Sequence, residues 1–184
     1  MRQLETVARF KKVTPSILRD NIRNLYPGGL FDKVIGAKYE KYEDVIDPEF
    51  SLPQASTNHA AGYDFYFPLK EEITIYPHDT KIIPTGVRCE FLDPSYFLAI
   101  FVRSSMGIKH GIQLANQTGI IDADYYESEN EGHIMAALYN SSDYEFTLKP
   151  GDRFIQGIFI PYGLSENGND KRVQRTGGIG STGV

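Results

Sequence analysis

The chain has one cysteine, no run of basic residues and no long apolar stretch, and each absence narrows what it can be. Cys89 alone cannot form an intramolecular disulfide, and no paired set of cysteines and histidines offers a zinc site. Nowhere do about eighteen apolar residues run together, and the N-terminus lacks the apolar core of a signal peptide. We therefore expect a protein with no membrane partner, located in the cytoplasm.

The charge balance argues against a nucleic-acid partner. The formal net charge is -5, and the 19 Lys and Arg residues form no basic patch in the sequence. Small anionic ligands stay possible, because a few placed arginines and backbone amides can bind phosphate within an acidic protein. The 184 residues, 41% of them hydrophobic, suffice for one domain or for one domain with an added segment.

From about residue 72 onward the sequence predicts one strand after another. Six segments are rich in β-branched and aromatic residues, and turn-forming residues separate them. These segments are residues 72–76, 81–91, 96–102, 133–139, 144–148 and 153–160. Strands at a spacing of roughly ten residues, with no helical period between them, predict an all-β barrel, sandwich or jelly roll.

The first fifty residues read differently. Thr14-Pro15 is typical of a helix start, and apolar residues then recur at helical spacing until Pro27-Gly28-Gly29. We predict one amphipathic helix of about three turns, preceded by a strand at residues 9–13 and followed by a second candidate strand at residues 37–45. A packed surface decoration is the simpler interpretation, and a protein partner contacted through residues 15–50 is the alternative.

The last stretch, residues 163–184, is rich in glycine and polar residues. Such a composition cannot hold a core element, which predicts a flexible arm. The alternative is a phosphate clamp, in which glycines let backbone amides approach an anion while Arg175, Ser181 and Thr182 add donors. We accordingly divide the chain into residues 1–50, a β core at 51–162 and an arm at 163–184.

The segment Gly119–Tyr125 combines a short apolar strand with two carboxylates. Strand alternation would place Asp122 and Asp124 on one face, unless the strand ends there in a turn. A buried or half-buried Asp at a strand end is the simplest general base that a hydrolase can have. An Asp-rich turn without catalytic meaning is the other interpretation.

Three further segments carry polar groups at strand ends. Arg103-Ser104-Ser105 follows a strand and predicts either a phosphate cradle or the start of a helix. Around Gly62 and Asp64 the small residues indicate close packing, with a hydrated metal beside Asp64 as the alternative. At Gly151–Gln156 a turn leads into a strand, with Arg153 and Ile155 on one face and Phe154 and Gln156 on the other. An isolated ion pair explains the presence of Arg153 as well as a functional role does.

Taken in order, these segments resemble the five motifs of the trimeric dUTPase family over residues 52–184. The five matching segments are Ala61–Asp64, Arg103–Gly107, Asn116–Tyr125, Gly151–Gln156 and the arm from Arg175. The continuation through residues 126–134 resembles a bacterial and phage branch with a longer third-motif loop. The resemblance implies a dUTPase-like β jelly roll, a homotrimer with shared sites and, for a phage protein, the host cytoplasm.

The same resemblance implies hydrolysis of dUTP to dUMP and pyrophosphate with Mg²⁺. Asp122 would be the general base, and the Tyr125 ring would pack on deoxyribose and exclude a 2′-hydroxyl. A β-hairpin from Asn116 to Met135 would read uracil, and Asp64 would support the metal through water. Asp124 and Arg153 would have a structural role, as an ion pair across subunits. The implied substrate-binding residues are Arg103, Ser104, Ser105, Asn116, Ile121, Tyr125, Met135, Gln156, Arg175, Ile179, Gly180 and Ser181.

The chain departs from the family pattern in its fifth motif. Ile179 stands where the family presents an aromatic ring that stacks on uracil, and either Arg172 or Arg175 could reach the γ-phosphate. These departures leave room for a weakly active, regulatory or partner-binding dUTPase-like protein. The related dCTP deaminase activity is a further alternative, although that chemistry places a Glu where this chain has Asp122-Ala123-Asp124-Tyr125.

Overall fold

The computed structural model describes residues 5–25 and 45–167, and in these ranges β-strands dominate. The elements follow one another as β1 Ala8–Lys12, α1 Pro15–Leu25, β2 Gln54–Ala55, β3 Gly62–Tyr66, β4 Ile73–Ile75, β5 Thr80–Pro84, β6 Val87–Phe91, β7 Tyr96–Val102, α2 Ser104–His110, β8 Ile112–Leu114, β9 Gly119–Ile121, a 3₁₀ helix Ala123–Glu127, β10 Met135–Asn140, β11 Phe146–Leu148 and β12 Arg153–Pro161. The arm beyond residue 167 and the strand predicted within residues 37–45, apart from Val45, lie outside the described ranges.

The strands form four antiparallel groups around one core. A five-stranded sheet has the order β2-β3-β12-β7-β9, a three-stranded sheet the order β5-β10-β8, and β1-β6 and β4-β11 form two pairs. The core contains fully buried side chains from several of these groups, among them Phe65, Leu98, Leu138 and Phe154. This mostly antiparallel arrangement confirms the predicted all-β jelly-roll class.

Most predicted strands form, and the differences have local causes. The strand predicted at 96–102 has those limits in β7, but the segment 81–91 is divided into β5 and β6 at Thr85-Gly86. Gly86 has a φ of +70°, which breaks the strand, and the Thr85 hydroxyl donates to the Ile134 carbonyl at 2.7 Å. The short α2 and the 3₁₀ helix form at strand ends, in a part of the sequence that shows no helical period of useful length.

A β-bulge in β12 overturns the predicted alternation of its first residues. The pairing of β12 with β3 shifts register between Arg153 and Ile155. As a result Phe154 and Ile155 are both fully buried, while Arg153 remains exposed. The prediction that Arg153 and Ile155 share a face was therefore wrong, since it assumed an unbroken strand.

The N-terminal segment, residues 5–25, is built into the core. The predicted strand is present as β1, which pairs along β6 with Phe10 opposite Cys89. The predicted helix is present as α1, whose Leu18 and Ile22 are 4% and 0% exposed. The segment is packed, as expected, but it supplies core side chains instead of only covering a surface. The predicted division into three regions stays a prediction.

Two further features concern the cysteine and the helices. Burial raises the pKa of the Cys89 thiol to about 12, so this group stays protonated and unreactive at neutral pH. Within residues 5–25 and 45–167, no helix is both long and apolar enough to cross a bilayer.

Candidate active site

A cavity of about 470 Å³ opens between the edge of the five-stranded sheet and the three-stranded sheet. Four residues predicted from the sequence to bind substrate line it, namely Asn116, Ile121, Tyr125 and Met135. The remaining lining residues are Ile82, Ala115, Gly119, Ile120 and Ala137. The wall is therefore mainly apolar, with Asn116 as a residue with a polar side chain, which suits a flat organic ring with polar edges.

Tyr125 is held at the cavity by hydrogen bonds at its hydroxyl. Its side chain is buried, and the hydroxyl donates to the His133 carbonyl at 2.9 Å. The Asn130 amide donates to the same hydroxyl at 2.8 Å. Both bonds are made at the tip of the side chain, and Tyr125 is one of the residues that line the cavity.

Asp122 lies directly after the cavity residue Ile121. Strand β9 ends at Ile121, and Asp122 caps the following 3₁₀ helix with an extended backbone (φ -81°, ψ 159°). The strand alternation that would put Asp122 and Asp124 on one face was therefore wrong, and the alternative of a turn is correct. Asp122 is exposed in the single chain and follows Ile121, which pairs with Leu98 of β7.

The predicted β-hairpin from Asn116 to Met135 does not form with those limits. Strand β9 pairs with β7, whereas β10 pairs with β5 and β8. Between β9 and β10 the chain forms the 3₁₀ helix and then continues to residue 134. We call residues 126–134 the insertion loop. The hairpin prediction was wrong in its limits, because β8, which ends before Asn116, is the strand that pairs antiparallel with β10.

A second polar cluster centres on Asp64, whose side chain is almost fully buried. The carboxylate accepts from Arg103 Nε at 2.9 Å, from Arg153 Nη1 at 3.1 Å and from the Ser56 hydroxyl at 2.7 Å. An intrachain ion pair therefore accounts for Arg153, as one of the two interpretations expected. Two guanidinium groups on one carboxylate leave the cluster with a net positive charge, which suits an anionic ligand.

The other predicted phosphate-binding residues border this cluster. Arg103 ends β7, and Ser104 and Ser105 begin α2, so the helix expected as the alternative for this motif is present. Gln156 lies opposite Asp64 in the pairing of β12 with β3. A Cβ on Gly62 would lie 2.8 Å from Gln156 Oε1, so a larger residue here would displace the end of the Gln156 side chain.

The donor set does not form a protein cage for a metal ion. Among the described residues, no group of three His, Cys, Asp or Glu side chains could hold one. Both oxygens of Asp64 already accept from guanidinium groups, which favours a role in holding Arg103 and Arg153. Mg²⁺ that is already bound to phosphate oxygens of a substrate needs few protein ligands. The residues present therefore fit Mg²⁺ only when it binds together with such a substrate. The water-mediated role of Asp64 stays a prediction.

Some site residues fall outside the described ranges, and others were missed. The arm residues Arg172, Arg175, Ile179, Gly180 and Ser181 lie beyond residue 167. The sequence interpretation assigned no role to Ser56, Asn130 or His133. Ser56 carries no signal in its polar loop, but a histidine between Gly132 and Ile134, ahead of an apolar run, could have indicated a buried polar anchor.

Comparisons with known proteins agree with this geometry. A dUTPase family model matches residues 48–183. The deoxyuridine 5′-triphosphate nucleotidohydrolase of Lactococcus lactis subsp. lactis strain IL1403 is 38% identical over 136 residues, covering 73% of this chain and 89% of that protein. The protein of that name from Escherichia coli K12 (DH10B) is 38% identical over 121 residues, covering 64% of this chain and 77% of its own.

Solved structures extend the comparison to the fold. The dUTPase of Streptococcus mutans superposes with a TM-score of 0.57 at 35% identity, covering 66% of this chain and 97% of that one. The dUTPase from phage phi11 of S. aureus gives 0.56 at 17% identity, covering 71% and 95%, and this likeness concerns the fold alone. With a family match across three quarters of its length, a jelly-roll fold and the expected cavity residues in one place, this chain belongs to the dUTPase family.

Proposed function

We propose that this chain hydrolyses dUTP to dUMP and pyrophosphate. The observation that carries the proposal is the cavity, because Asn116, Ile121, Tyr125 and Met135 were named from the sequence and line one space. Its size and its mainly apolar wall suit a deoxynucleoside, with the Asn116 amide able to bond the polar edge of uracil. The Tyr125 ring would lie against the sugar and leave no room for a 2′-hydroxyl, which is steric discrimination.

The chemical step is water attack on the α-phosphorus. Asp122, at the end of the cavity strand and exposed in the single chain, would take the proton of the attacking water. A bond forms between the water oxygen and the α-phosphorus, and the bond from the α-phosphorus to the bridging oxygen breaks. The electron pair leaves with that oxygen on pyrophosphate, and negative charge develops on the phosphate oxygens during the step.

The Asp64 cluster would stabilise that charge. Arg103, Ser104, Ser105 and Gln156 offer cationic and neutral donors, and the Asp64 carboxylate fixes the Arg103 guanidinium in place. When bound with the substrate, Mg²⁺ would neutralise phosphate oxygens; a variant of the phage phi11 enzyme coordinates a structural Mg(II) ion. The arm residues Arg175, Ile179, Gly180 and Ser181 would close over the nucleotide. A cytoplasmic location agrees with a soluble nucleotide substrate.

A homotrimer with shared sites explains why the two clusters are separate in one chain. Among the described residues that line the cavity, none is Arg103, Ser104, Ser105 or Gln156. A nucleotide lying between subunits would bring the cavity of one chain to the cationic cluster of another. Mixing inactive Asp122→Asn and Arg103→Ala chains, unfolded and refolded together, should then restore part of the activity. Mixtures as inactive as either parent would contradict shared sites.

The function itself is tested by pyrophosphate release from dUTP, with Mg²⁺ and with a chelator. Asp122→Asn should lower kcat by about a hundredfold or more, the usual contribution of a general base. Glu127→Gln, an exposed carboxylate at the end of the same 3₁₀ helix, is the matched control and should keep wild-type turnover. Wild-type turnover in Asp122→Asn would refute the mechanism.

The same assay separates the alternative functions. Measurable dUTP binding with turnover near background in the wild-type chain would favour the regulatory, partner-binding alternative. Release of ammonia from dCTP, with no hydrolysis of dUTP, would favour the deaminase.

A further inference from the structure

The insertion loop is attached to the N-terminal segment by polar contacts made far apart in sequence. Glu131 accepts from the Thr14 amide at 2.9 Å and from the Thr14 hydroxyl at 3.0 Å. Arg88 Nη2 donates to the Tyr126 carbonyl at 2.8 Å, and its guanidinium carbon lies 3.6 Å from the centre of the Tyr126 ring. Lys11 donates to the Tyr126 hydroxyl at 3.3 Å. Strand β1, the start of α1 and strand β6 thus hold one side of the loop.

His133 makes the most buried of these connections. Its side chain is 0% exposed, and its Nε2 accepts from the Gly86 amide at 3.0 Å. A backbone amide can only donate, so Nε2 carries no proton and Nδ1 does. That Nδ1–H donates to Asn21 Oδ1, on α1, at 2.7 Å. The imidazole therefore connects the helix to the insertion loop with both nitrogens used.

The backbone of the same residue reaches the candidate active site. The His133 carbonyl accepts from the Tyr125 hydroxyl at 2.9 Å, and Asn130 donates to that hydroxyl at 2.8 Å. Ser128 Oγ lies 2.7 Å from the Tyr125 carbonyl oxygen and 2.7 Å from Asn130 Oδ1. A continuous set of bonds thus joins α1, through His133, to the ring that borders the cavity.

We propose that Asn21 and His133 are positioning residues, through which the N-terminal helix sets the placement of the Tyr125 ring and hence selectivity for deoxyribose over ribose. The selectivity rests on the proposed function. The ring can exclude a 2′-hydroxyl only while it keeps its place, since steric discrimination weakens as soon as the wall can move. A helix that merely added stability would make no such difference between two sugars.

The test compares kcat/KM for dUTP and UTP in three variants of the full chain. Asn21→Ala removes the acceptor of the His133 Nδ1–H and should lower the dUTP to UTP ratio about fivefold or more, the effect of one net hydrogen bond. Asn21→Asp keeps an oxygen acceptor and should restore most of the ratio. Ile22→Val, a fully buried neighbour on α1, should lower Tm without changing the ratio.

A second measurement needs no activity. Hydrogen–deuterium exchange of a peptide covering residues 123–135 should be faster in Asn21→Ala and unchanged in Ile22→Val. A wild-type ratio and wild-type exchange in Asn21→Ala, alongside a lowered Tm, would overturn the proposal and leave Asn21 with a purely scaffolding role. If the wild-type chain hydrolyses no dUTP, the proposed function and the selectivity both fail, while the exchange result still decides whether α1 positions Tyr125.

Discussion

Replacing His133 should change how the stability of the protein depends on pH. The imidazole is fully buried, with both nitrogens in hydrogen bonds, and burial lowers its pKa from 6.5 to about 3. The folded state therefore keeps the ring neutral, whereas the unfolded chain binds a proton near the ordinary value. The pKa is lower in the folded state, so the stabilisation is complete above about pH 6.5 and is lost as the pH falls towards 3.

The size of the effect follows from proton linkage. Below the unfolded pKa, the unfolded state binds one more proton than the folded state, which costs about 1.4 kcal/mol for each pH unit. Between about pH 7.5 and about pH 5 the free energy of unfolding should fall by about 2 kcal/mol from this residue alone. The ordinary pKa values of Asp and Glu lie below about 4.5, so this window reports mainly on histidine.

Urea denaturation followed by circular dichroism at several pH values measures the effect. The loss of stability between these two pH values should be about 2 kcal/mol smaller in His133→Gln than in the wild type. His59→Gln, at an exposed position, is the matched control and should behave as the wild type does. Parallel curves for the wild type and His133→Gln would refute the reasoning, because they would mean that His133 binds its proton equally well when folded.

Two further substitutions test the Asp64 cluster and the centre of the main sheet. Asp64→Asn leaves two guanidinium groups without their counter-charge and should lower the free energy of unfolding, measured by urea denaturation, by about 2–3 kcal/mol. The control Asp143→Asn, at a side chain 89% exposed, should lower it by less than about 0.5 kcal/mol. Equal losses in the two variants would contradict the reasoning. Gly157→Ala would place a Cβ 2.8 Å from Leu98 Cδ1 inside the core and should cost about 1–3 kcal/mol, seen as a lower Tm, while Gly163→Ala meets no atom within 4 Å and should leave Tm unchanged.

Most strands could be predicted because their residues satisfy local rules. In β7 the apolar residues Tyr96–Val102 stand between turn-forming segments, so the strand limits follow from composition. The helix α1 likewise follows from its proline start and its apolar spacing. The cavity residues were also named correctly, since the third motif places them within a short stretch whose order resembles a known family.

The remaining features depend on contacts that no local pattern encodes. The bulge in β12 arises where this strand meets β3, and the partner of Arg153 lies 89 residues away at Asp64. The limits of the predicted hairpin failed for the same reason, because β9 pairs with β7 and β8 is the strand that pairs with β10. Sequence reasoning assigned different roles to the separate motifs. It could not show that the Asp64 carboxylate of the first motif contacts Arg103 of the second motif and Arg153 of the fourth.

The N-terminal segment and the insertion loop are best regarded as one unit, because each satisfies polar groups of the other. Without Asn21, the Nδ1–H of the buried His133 would lose its acceptor, and without Thr14 the carboxylate of Glu131 would lose two donors. An unsatisfied buried donor costs about 1–3 kcal/mol, so each part contributes to the stability of the other. In this chain α1 therefore supplies, through Asn21, the acceptor that the buried Nδ1–H of His133 requires.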